Sequence, residues 1–142
     1  MAVAVTHSVQ ELADGLARRC QTVPGLRCYP EMHPKPEPPA ACVAGPIRWT
    51  YDESFDGTWR PVFEVWVFVN PANLVTAQNP ALFSYLAPTG TKSIPAAIYG
   101  DPTLGGVAND TRVLGGARPP TVVDIAGGQL LGCALEVEVT AV

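Results

Sequence analysis

A chain of 142 residues with 47% hydrophobic residues, 15% charged residues and a formal net charge of −4 fits one domain, 1–142, whose core needs no metal or disulfide staple. The acidic balance excludes nucleic-acid binding through a basic face, and no apolar run approaches the roughly 18 residues that a membrane span requires. So low a charge fraction leaves apolar surface to be covered, by copies of the chain or by neighbouring proteins.

The opening Met1–Val5 is apolar but lacks a basic flank and a full hydrophobic region, so no signal peptide is expected. Cys20, Cys28, Cys42 and Cys133 are then expected to be free thiols that act as small apolar fillers.

The first element is a helix. Ser8-Val9-Gln10-Glu11 has the form of a capping box, and Leu12, Ala13, Leu16, Ala17 and Cys20 recur at helical spacing until Pro24-Gly25. A short strand is expected at 26–29. Five prolines follow within Pro30–Pro39, which favours extended polyproline geometry. This loop, 30–39, reads either as a stiff surface connection or as an arm lying on a neighbouring subunit, with Pro36 and Pro38 as candidate contacts.

A long β-hairpin spans 47–70. Ile47, Trp49 and Tyr51 alternate with Arg48 and Thr50; in the return strand Phe63, Val65, Val67 and Val69 share one face, and Glu64, Trp66 and Phe68 the other. A strand apolar on both faces is expected to be covered on both. A helix is predicted over Asn73–Ala87, with a kink or a start at Asn79 because Pro80 cannot sit inside it. A third, short helix is capped by Ser93, carries Pro95 in its first turn and ends near Gly100.

Three strands complete the chain: Val107–Leu114, Thr121–Ala126 and Leu130–Val142. A three-residue loop, Gly127 to Gln129, pairs Ile125 with Leu131, Val123 with Cys133 and Thr121 with Leu135, which puts the apolar residues on one face. The fold class is therefore α+β: an antiparallel sheet with a long β-hairpin, flanked on one face by two to three helices.

No catalytic constellation emerges, and no metal or cofactor is expected. Cys20, Cys28, His33 and Cys42 lack the close pairs of a structural zinc site, and neither Cys28 nor Cys42 has an activating setting for a pair with His33. The paired glycines are never followed by the Lys and Ser/Thr of a phosphate loop. Glu64, Glu136 and Glu138 can share an outward sheet face, read either as a solvated surface or as an acidic one that repels a polyanion, partly offset by Arg48 and Arg112.

Taken in order, "ELADGLARRCQTVPGLRCY", the Pro-rich approach to "PPAACVAGP", "FEVWVFV", "LFSYLAPTGTKSIPAAIYGDPTLGG" and "VLGG…VVDIAGGQLLGCALEVEV" resemble the tail terminator (tail completion) proteins of long-tailed actinobacteriophages. The resemblance spans nearly the whole chain; the Pro-rich loop and Pro80 depart from the commoner pattern. It implies a virion protein, assembled in the host cytoplasm, that forms a hexameric ring on the head-proximal end of the tail tube. Such a ring stops tube growth and joins the tail to the head-completion or stopper protein, while double-stranded DNA passes through its lumen. On this reading Glu64, Glu136 and Glu138 face the lumen, and Glu53, Phe55 and Trp59 of the hairpin touch the tube or the next subunit. The alternatives are another ring of the same neck, such as a stopper, or a small ligand-binding module using the Trp/Phe face.

Overall fold

The computed structural model describes residues 8–51, 58–70, 80–125 and 128–141. Helix α1, Val9–Cys20, begins in the expected capping box: the Glu11 amide donates to Ser8 Oγ at 3.1 Å and the Ser8 amide to Glu11 Oε1 at 3.3 Å. Its apolar side, Leu12, Ala13, Leu16, Ala17 and Cys20, is buried.

Five strands follow: β1 (Arg27–Tyr29), β2 (Ala40–Tyr51), β3 (Trp59–Val69), β4 (Asp110–Ile125) and β5 (Gly128–Thr140). They form one sheet in the order β1-β2-β3-β5-β4. All neighbours run antiparallel except β1, which lies parallel to β2 over Arg27–Tyr29. The sheet is thus mixed, because the connection 30–39 crosses over before β2 starts.

Helix α2 is described from Pro80 to Leu86, so Pro80 stands at the first described turn; residues 73–79 of the expected helix lie outside the described residues. Helix α3, Ile94–Tyr99, has the expected cap: the Ala96 amide donates to Ser93 Oγ at 3.0 Å, and that hydroxyl also bonds the Ala87 carbonyl. All three helices cover one sheet face. There Leu12, Leu16, Leu82, Ile94 and Ile98 meet Phe63, Val65, Val67, Leu131, Val137 and Val139, which are fully buried.

The final strands differ from expectation in two ways. The strands expected at 107–114 and 121–126 are one sixteen-residue strand, β4, which runs through Gly115-Gly116 and Pro119-Pro120 with three register shifts. An edge strand tolerates this, since a proline that lacks an N–H harms nothing on its unpaired side, and bulges absorb the misfit. The three-residue loop is also overturned: Ile125 pairs with Gly128, Val123 with Leu130 and Val122 with Leu131. The expected register puts the apolar residues of this strand on one face, yet Val122 packs on the core while Val123 lies beside Gly132 on the other side. Both valines are used, one on each face.

Candidate functional site

The sheet face away from the helices is divided into a charged half and an apolar half. In the charged half Glu64 of β3 stands directly opposite Glu136 of β5, Val62 opposite Glu138, and Glu138 opposite Arg112 of β4. The strand period therefore brings the three predicted glutamates to one surface. Arg48 of β2 reaches over β3 and donates through both terminal nitrogens to the Glu136 carboxylate, at 2.8 and 2.7 Å. This hydrogen bonding holds the Glu136 carboxyl below the usual carboxylate range. Glu64 is buried, and Arg118 Nε lies 3.5 Å from it. Arg48, Arg60, Arg112 and Arg118 thus share this face with the three glutamates. The surface is a mixed lattice of charge rather than a purely acidic one.

The apolar half holds Ala40, Cys42, Phe68 and Ala134, all essentially buried, and Trp66, half-buried and stacked on Phe68 with ring centroids 5.8 Å apart. The Pro-rich segment 30–39 lies over part of it. The His33 amide meets the Cys42 sulfur, while burial pushes that thiol up. The His33 ring packs on Tyr29 at 4.4 Å and its Nδ1 accepts the Lys35 amide at 3.0 Å. Glu37 pairs with Arg27 at 3.4 Å. Pro36 is buried and Pro38 half-buried within their own chain. The Trp66/Phe68 face is accordingly a filled layer, not an open pocket.

The third feature is the outer half of the hairpin. After Ala44 the β2–β3 register shifts and resumes at Arg48–Val62. Gly45 makes this possible: its φ is +124°, and a Cβ there would lie 2.9 Å from the Ile47 nitrogen. Beyond the shift, Trp49 pairs with Pro61 and Tyr51 with Trp59 on the helix-side face, but further out than the helices reach. Ile47, Trp49 and Tyr51 are 42%, 52% and 71% exposed. Among the described residues, β1 pairs only with residues 40–42, so the outer edge of β2 over 47–51 has no strand beside it.

Trp59 is placed differently from these three. It packs against the core, and its backbone exchanges two hydrogen bonds of 2.9 Å with Ala141. Glu53 and Phe55 lie outside the described residues. Trp59 is a residue expected to touch the tube or the next subunit, and Trp49 and Tyr51 are more exposed than it is. They alternate with Arg48 and Thr50 as in any half-buried strand, so no local pattern marks them as exposed.

A cavity of about 310 Å³ opens where β4 bulges away from β5, lined by Leu86, Gly116, Arg118, Pro119, Pro120 and Ala134 among others. Arg118 supplies its one charged group. The buried thiols near the core are held protonated: Cys133 is pushed up to about 12 by burial, and Cys28 is raised by its hydrogen bond with Cys20 and then by burial. Among the described residues no three His, Cys, Asp or Glu side chains gather as metal ligands. No known protein family matches this sequence, and no curated protein matches it.

Proposed function

We propose that this chain is a structural virion protein, a tail terminator that forms a ring on the head-proximal end of a phage tail tube. The ring, a hexamer by the family resemblance, ends tube polymerisation and offers its far side to a head-completion or stopper protein. It acts by assembly rather than catalysis, takes no cofactor and works in the neck of the virion. The observation that carries the reading is the exposed apolar surface of the hairpin, Ile47, Trp49 and Tyr51, which projects beyond the helix-covered core. Aromatic residues that project from a rigid strand suit a protein–protein contact.

The charged half of the sheet supports a refined role toward DNA. If Glu64, Glu136 and Glu138 border the lumen, the interleaved arginines keep that wall close to neutral. Such a wall neither grips the phosphates nor holds them at a distance, which suits a polymer in transit.

The test mixes the purified chain with growing tail tubes. Hexamers by native mass spectrometry, rings at one tube end in electron micrographs and tubes of arrested length are expected. A chain that stays off the tubes, or tubes that grow unchecked in its presence, would overturn the reading. Binding to a head-completion ring but not to the tube would move it to a stopper.

A further inference from the structure

We infer that the outer edge of β2, residues 47–51, pairs antiparallel with the same edge of a second copy, joining two sheets across a two-fold axis through Trp49. The inference does not rest on the proposed ring: a two-fold pair is isologous whereas a ring closes through head-to-tail contacts, and the hairpin residues that would serve the ring cannot serve both contacts at once.

The two ends of the sheet are treated differently, and this selects the partner. An exposed strand edge is ordinarily blunted, and the far edge, β4, is blunted along most of its length. The Val113 amide is taken by the Tyr99 hydroxyl at 2.9 Å, and Thr111 Oγ1 donates to the Pro102 carbonyl at 2.7 Å. Register shifts follow at Gly115 and Gly116, and Pro119 and Pro120 present no N–H at all. A β2 edge therefore cannot find a complementary strand on the β4 side of another copy. The β2 edge has no proline after Pro46, no buried inward charge and no cover over 47–51 among the described residues. The free edge of one copy is matched by the free edge of another.

Register supports the same partner. With Trp49 on the axis, Trp49 faces its counterpart, Ile47 faces Tyr51, and Arg48 faces Thr50. All large apolar residues then fall on one face of the joined sheet, as aromatic and β-branched cross-strand pairs that favour pairing. With Arg48 on the axis, two arginines would stand opposite each other, and shifts by one residue would mix the faces.

Area sets the strength. An aromatic side chain presents about 150–250 Å², so at the observed exposures the three apolar residues offer roughly 300 Å² per copy. Two copies thus offer roughly 600 Å² of side-chain surface, which with the short backbone edges stays below about 1,000 Å², the lower bound of specific contacts. The pair is weak and concentration-dependent.

Sedimentation of the full chain over a range of concentrations, with and without Trp49→Glu, tests this. A monomer–dimer equilibrium that Trp49→Glu abolishes, with unchanged far-UV circular dichroism, is expected. Register is read by mixing Arg48→Cys and Thr50→Cys chains under mild oxidation: the mixture should cross-link severalfold more than either variant alone. A wild type that is monomeric throughout, a dimer that survives Trp49→Glu, or no excess cross-linking in the mixture would each overturn the inference.

Discussion

Arg48 and Glu136 are joined by two hydrogen bonds of 2.8 and 2.7 Å although a whole strand, β3, lies between them. The bridge ties the second strand of the sheet to the fourth, and Glu136 also stands directly opposite Glu64. Arg48 thus relieves a like-charge pair that the register forces together. Because the Glu136 carboxyl is held low in the folded state by this partner, the bridge contributes stability above the ordinary carboxylate pKa of about 4.3, and that contribution is lost as pH falls through the folded value. Arg48→Met should lower the urea midpoint at pH 7, and the deficit should shrink at an acid pH low enough to protonate Glu136. An equal deficit at both pH values would show that the loss comes from packing instead.

Gly132 and Phe68 meet too closely for any side chain at 132. A Cβ there would lie 2.9 Å from two ring carbons of Phe68, which is itself 1% exposed and has little room to move. Gly132→Ala should therefore destabilise by about 1–3 kcal/mol, measured by denaturant unfolding. Pairing it with Phe68→Leu, which clears the space, should recover part of the loss.

The two tryptophans of the hairpin should separate cleanly. Trp49 is 52% exposed, whereas Trp59 packs on the core and bridges to Ala141. Trp49→Ala should change stability by no more than about 0.5 kcal/mol, while Trp59→Ala should cost about 2–4 kcal/mol. Thermal melts of the two variants decide this. The same contrast makes Trp49 and Tyr51 the better probes of assembly, since loss of Trp59 weakens the fold itself.

What was legible in the sequence was local. The Ser8–Glu11 box, the Ser93 cap with Pro95 behind it, and the alternating faces of β3 and β5 are written within a few residues of each other, and each appears in the structure. The convergence of Glu64, Glu136 and Glu138 followed from the same two-residue period. Features that depend on a neighbour in space were missed. Whether Pro119-Pro120 ends a strand depends on whether its outer side is paired, and no local pattern states that. The short β1 looks the same whether it runs parallel or antiparallel. Pro36 in a loop of prolines reads as surface, yet it is buried because an apolar half-sheet needed a cover. Trp49 and Tyr51 alternate as any half-buried strand does, and only the extent of the helices leaves them bare.

The central position of β5 has a consequence for how the chain is made. β3 finds its second neighbour in residues 131–138, so every β3–β5 pair joins positions more than sixty apart in the sequence. Until residues 128–140 have been synthesised, the hairpin carrying Phe63, Val65 and Val67 has one side unpaired. Loop closure over such a span is slow, and the waiting strands are exposed meanwhile. Folding is thus deferred until translation has passed the end of β5, and a ribosome stalled before it would hold a sticky, unfinished sheet for the chaperones to shield.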